Sequence, residues 1–162
     1  MHLRKLLLIG VVLIAASLAI SAISATSTTE TKIIENNVMK LNDVQFKILD
    51  GYTEVEEDMD SAATDDDNSE DIDGTAVDAK TTVEFKNPTG DKIEYTVGFR
   101  NNGKIDSISP AGYQEKTIGD KKGFFKTDED DGKTEYKFEY IEDGKIVKVV
   151  TNSEDVLNQV LA

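Results

Sequence analysis

The chain has no cysteine and no tryptophan, and its single histidine is His2, in the N-terminal flank. Lack of cysteine excludes disulfides, thiolate nucleophiles, iron–sulfur ligation and lipid attachment through a Cys. With no histidine after position 2, Ser-His-Asp and Cys-His catalysis cannot be assembled, and neither can a His- or Cys-ligated zinc site. Positive charge is also scarce: 18 Lys and Arg stand against 32 Asp and Glu, a net charge of −14. A surface of that sign repels a phosphate backbone, so no nucleic-acid partner is expected. Walker A and Rossmann glycine patterns are missing. Asn87-Pro88-Thr89 carries the proline that blocks N-glycosylation, and no other Asn-x-Ser/Thr acceptor is present. The chemistry left is oxygen-ligand cation binding, carboxylate acid–base work or a Ser–Lys arrangement.

What is present begins with an apolar run. Arg4 and Lys5 precede Leu6–Ala25, and no formal charge follows until Glu30. As a helix, residues 6–25 would span about 30 Å, the thickness of a bilayer core. The basic flank and the small residues Ser21, Ala22, Ser24 and Ala25 fit a cleaved signal peptide; the length of the run fits an uncleaved transmembrane anchor. Residues 1–25 are therefore expected to be a signal peptide or anchor. The rest is expected outside the cytoplasm, membrane-attached through residues 6–25 if uncleaved and secreted if cleaved.

Residues 26–37 read as a polar spacer and 38–162 as one extracytoplasmic domain. Val38–Leu41 and Val44–Ile48 flank Asn42-Asp43 and read as a small hairpin. Residues 54–73 hold acids and no Lys or Arg. We expect a flexible acidic insertion at about 59–77, with a short helix at Val55–Ala62. Further on, Thr81–Phe85 and Ile93–Arg100 alternate apolar and polar residues. Asn102-Gly103 predicts a hairpin turn followed by a strand at Lys104–Ser109, and Asp143-Gly144 predicts a second hairpin. Residues 92–105 resemble residues 133–146 at an offset of 41, as two matching hairpins would. Tyr95, Val97, Phe99, Tyr136, Phe138 and Tyr140 are the predicted core. Ser153 is placed to cap a helix over Glu154–Leu161, with Glu154 and Asp155 in its first turn.

Three stretches, Phe46–Tyr52, Lys116–Phe124 and Phe138–Ile146, resemble small secreted or membrane-anchored domains of uncharacterised archaeal families. They also resemble the PsbP/Mog1-like plan, in which a twisted antiparallel sheet has helices packed beside it. Leu49 stands where such domains often carry a proline before Asp-Gly-Tyr. The expected fold is thus α+β: a twisted antiparallel sheet with one or two packed helices, preceded by an N-terminal hydrophobic helix. The resemblance implies no catalytic residue.

An EF-hand frame with Gly132 sixth puts Thr127 first, and with Gly74 sixth puts Ser69 first, so neither frame holds. Asp65–Asp73 and Asp128–Asp131 admit weak calcium binding, with no metal ligand assigned. Ser107 and Lys104 have no spacing that marks a nucleophile and its base. No catalytic or cofactor-binding residue is assigned. The expected function is an extracytoplasmic surface, accessory or protein-interaction domain with a protein partner. The alternatives are a divalent-cation-binding domain and a small carboxylate-dependent hydrolase.

Overall fold

The computed structural model describes residues 32–61, 70–130 and 132–162. Twelve strands and one helix follow in chain order: β1 Lys32–Glu35, β2 Val38–Leu41, β3 Val44–Lys47, β4 Thr53–Ser61, β5 Glu70–Ile72, β6 Thr75–Val77, β7 Ala79–Lys86, β8 Lys92–Phe99, β9 Gln114–Ile118, β10 Lys121–Asp130, β11 Lys133–Glu142, β12 Lys145–Thr151 and α1 Glu154–Leu161. Seven strands make one antiparallel sheet in the order β4-β7-β8-β12-β11-β10-β9, with β1-β2-β3 as a second sheet and β5-β6 as a separate hairpin. The sheets are open rather than closed into a barrel.

Two-residue turns set much of this topology. Asn36-Asn37, Asn42-Asp43, Asp73-Gly74 and Asp143-Gly144 all have positive φ at both positions. They join β1 to β2, β2 to β3, β5 to β6 and β11 to β12. Asn, Asp and Gly tolerate that backbone, whose twist matches the flanking strands.

Period-2 alternation then separates the two faces of the large sheet. Val83, Phe85, Ile93, Tyr95, Val97, Phe138, Tyr140, Val147 and Val149 are buried on the first face. That face is covered by the β1–β3 sheet and α1, whose Val156, Leu157, Val160 and Leu161 are also buried. Side by side, the covering elements run from β1 to α1. Lys32 of β1 bonds to Glu54 and Glu57 of β4, Asn42 reaches Thr81 of β7, and Tyr95 of β8 donates to the Lys47 carbonyl at 2.6 Å. Lys47 in turn reaches the Gln159 carbonyl on α1. Ser153 caps α1 by accepting from Val156 N, as its sequence predicts.

The second face carries a smaller core at one end. Ile72 and Val77 of the β5–β6 hairpin pack there with Ile105 and Ile146, next to Ile108 and Ile141. The irregular segment between β8 and β9 closes over the same end, and Ile105 N donates to the Gly144 carbonyl at 2.8 Å.

Several expectations are corrected. The fold is mostly β rather than α+β: strands take 61% of the described residues and one short C-terminal helix 7%. A second sheet occupies most of the layer where flanking helices were expected. The N-terminal hydrophobic helix, the transmembrane helix and the signal segment find no support in the described residues. Among the described residues no helix is long and apolar enough to cross a membrane, and α1 has only eight residues. Residues 6–25, which carried those expectations, lie outside the described residues.

Strand β1 starts within the stretch read as a spacer. Val55–Ala62, read as a short helix, is replaced through Ser61 by β4, and β5 and β6 occupy the end of the acidic insertion. Asp65–Asp67 lie outside the described residues. Asn102-Gly103 does not turn a hairpin, because β7 and β12 already take both edges of β8.

Candidate functional site

The β5–β6 hairpin brings an acid onto the second face of the sheet. Asp73 sits at its turn with φ of +42°, a conformation that Asp adopts more readily than most residues. Its Oδ2 accepts from Lys148 Nζ on β12 at 2.6 Å and from the Tyr113 hydroxyl, just before β9, at 2.8 Å. Glu139 of β11 is the cross-strand partner of Lys148 and is 0% exposed. Neither of its carboxyl oxygens accepts a hydrogen bond from an N–H or O–H group, and Lys148 Nζ is 3.9 Å from Oε1.

These four side chains have displaced proton affinities. Burial, then the adjacent Asp73 carboxylate, push Glu139 up to about 8, against smaller opposing pulls from Lys148 and the Tyr113 hydroxyl. Burial also works to raise Asp73, yet its bonds with Glu139, Lys148 and Tyr113 hold it well below the usual carboxylate range. Burial and the bond to Asp73 raise Tyr113. A protonated Glu139 facing an ionised Asp73 accounts for one of the two orphan oxygens: the carboxyl O–H donates to a neighbour that is itself only an acceptor. Two acids pushed apart in this way are the usual equipment of acid–base catalysis. Here Glu139 is fully enclosed, so it can hold a proton but cannot touch a substrate.

A second place of interest is the open side of the sandwich, where β1 and β4 are both edge strands. Among the described residues, the exposed large apolar side chains are Ile33, Ile34, Val38, Val55 and Met59, all on β1, β2 or β4. The pairing register shifts between Glu54 and Glu56, which makes Val55 a bulge. Beyond it, Glu57 and Met59 point with Val83 and Thr81 toward the covering sheet, while Glu56 and Asp58 point to the second face with Glu84 and Thr82. Ile34 shares the inner face of β1 with Lys32. The mouth between the sheets is therefore apolar at Ile34 and Met59 and bridged by Lys32 to Glu54 and Glu57, 2.7 and 2.5 Å away.

The residues singled out from sequence do not converge. Asp128 lies in β10 and pairs with Lys126 and Lys137 at 2.9 and 3.4 Å. Ser107 and Lys104 lie in the irregular segment after β8, and Lys104 packs its stem where a Cβ on Gly144 would stand. Among the described residues no group of three or more His, Cys, Asp or Glu is placed to hold a metal ion. The sequence reading missed Asp73 with Glu139. Alternation puts Glu139 opposite Phe138 and Tyr140, on a face that reads as solvated, and no local signal shows that a hairpin from residues 70–77 covers it. Comparison with protein-family models, with curated proteins and with solved structures finds no match to this chain.

Proposed function

We propose that the domain is a protein-interaction module that takes an extended segment of another polypeptide at the β1–β4 side of the sandwich. The observation that carries this reading is that, among the described residues, Ile33, Ile34, Val55 and Met59, four of the five exposed large apolar side chains, lie on the neighbouring edge strands β1 and β4. An edge strand offers unpaired backbone N–H and C=O groups, and an added strand satisfies them. The side chains along β4 fix the chemistry of the partner. Inward positions would meet Met59 and Ile34 and favour apolar residues. Outward positions would meet Glu56 and Asp58 and favour Lys or Arg. The partner is then a segment alternating apolar and basic residues, drawn in by a chain of net charge −14.

The test is an NMR titration of the full chain with a short peptide alternating Ile and Lys, beside one alternating Ile and Glu. The reading expects saturable shifts confined to β1 and β4 with the Lys peptide, weakened by salt and absent from a Val55→Asp/Met59→Asp double variant. Equal responses to both peptides, or shifts centred on β9, would overturn it.

A further inference from the structure

We infer that the β5–β6 hairpin is latched to the large sheet by one proton shared between Glu139 and Asp73, and that the latch opens when this proton passes to solvent. Glu139 is fully buried with no donor to either oxygen, and what lies over it is the turn of that hairpin. A buried carboxylate without donors is costly, whereas a buried carboxyl that donates to Asp73 is satisfied.

Among the charged and titratable groups around Glu139, Lys148 and Tyr113 act on it, and both are bonded to Asp73. From β12, Lys148 gives its short bond to Asp73 and stands 3.9 Å from Glu139. From the segment before β9, Tyr113 donates to Asp73 at 2.8 Å and exerts a weaker pull on Glu139 as well. From β10, the residue paired with Glu139 is the uncharged Phe124; Lys126 is drawn to Asp128 and stands 5.9 Å over the Tyr113 ring. On β11 itself, Lys137 is held by Glu135 and Asp128. One ammonium therefore faces two acids. With the proton in place the set of buried Glu139, part-buried Lys148 and exposed Asp73 is neutral. Once it leaves, two carboxylates face each other across a single Lys148. The hairpin is the element that can move: its apolar hold is Ile72 and Val77, it is hydrogen-bonded as a sheet only to itself, and its further polar ties include the Lys80–Glu70 pair at 2.8 Å and the Arg100 bond to the Ala76 carbonyl.

The experiment is amide hydrogen exchange on the full chain from pH 6 to pH 9.5, read as protection factors corrected for the intrinsic pH dependence of exchange. Glu139 titrates at about 8. Protection across residues 70–77 should fall by up to about tenfold per pH unit from pH 6 and level off above about 8, because opening releases the proton only while the closed form still holds it; β8 and β12 stay protected. Glu139→Gln keeps an N–H donor for Asp73 and cannot lose its charge state, so its hairpin should show a flat profile. A flat wild-type profile, or a parallel fall in the Gln variant, would overturn the inference. Carbon-13 NMR titration of the Glu139 carboxyl in the wild-type chain gives a readout that needs no variant. A midpoint in the ordinary carboxylate range would also sink the latch.

Discussion

A Cβ built on Gly98 would stand 2.6 Å from Cδ1 of Ile72, inside van der Waals contact. Val77 Cγ1 at 2.9 Å and Ile146 Cγ2 at 3.0 Å close the same spot. Gly98 thus gives the β5–β6 hairpin a flat place on β8, which explains a glycine in a strand whose other positions favour larger side chains. Gly98→Ala should destabilise the chain by about 1–3 kcal/mol through overpacking. Its effect should be local first: in NMR spectra the largest shifts should fall on residues 70–77 and 105–108. An Ala variant with an unchanged hairpin and an unchanged urea midpoint would show that the contact is looser than drawn.

Phe138 and Tyr136 share a face of β11 but not a fate. Phe138 is 0% exposed and stacks near Tyr140 with ring centroids 5.7 Å apart, while Tyr136 is only half-buried beside Phe125. Phe138→Ala should cost roughly 3–5 kcal/mol, and Tyr136→Ala distinctly less. Urea unfolding of the two variants checks the order. Equal midpoints would mean that the core is centred elsewhere.

Tyr95 ties the two layers together through one polar atom. Its hydroxyl donates to the Lys47 carbonyl of β3, and its ring lies 4.5 Å from that of Phe46. Tyr95→Phe keeps the ring and removes the bond, leaving a carbonyl short of a partner. A loss of about 1 kcal/mol is expected, with faster amide exchange along β3 and little change in β11. Uniform loosening of both layers would count against this hydroxyl as a specific tie.

These elements show where the sequence was readable. The turns at Asn42-Asp43 and Asp143-Gly144 were legible because Asn, Asp and Gly are rare solutions to a specific backbone requirement. The same signal stood at Asn36-Asn37, hidden inside a stretch whose polarity suggested a spacer. Asn102-Gly103 misled because a turn signal reports local conformation, not whether the strand before it has a free edge. Glu54–Met59 looked helical or mobile because its acids mask a strand that hydrogen-bonds on one side only. The candidate site was the least legible part. Glu139 and Lys148 are cross-strand neighbours whose alternation was readable, but their enclosure depends on Asp73 and Tyr113, 66 and 26 positions from Glu139 in the chain. Contacts over such separations leave no periodic trace.

Glu139 also sets the sign of stability against pH. Its folded proton affinity, at about 8, lies above the ordinary value of 4.5. The folded chain therefore binds a proton that the unfolded chain releases. That contribution is complete below the ordinary value and is lost as pH rises through about 8. Burial raises Glu94 as well, so it adds a slope of the same sign in its own window. Asp73 works at the other end: its contribution is present above the ordinary carboxylate range and fades only in strong acid. Urea midpoints should therefore decline from pH 6 to about pH 8 and level off above it, and Glu139→Gln should remove most of that decline. Asp73→Asn separates the two causes of the Glu139 shift. Asn accepts the positive φ at the turn but carries no charge, so burial remains while the neighbouring carboxylate is gone. The decline should then level off at a pH lower by on the order of one unit. An unmoved decline in Asp73→Asn would mean that burial alone raises Glu139, and that Asp73 is held by Lys148 and Tyr113 without taking part in the shared proton.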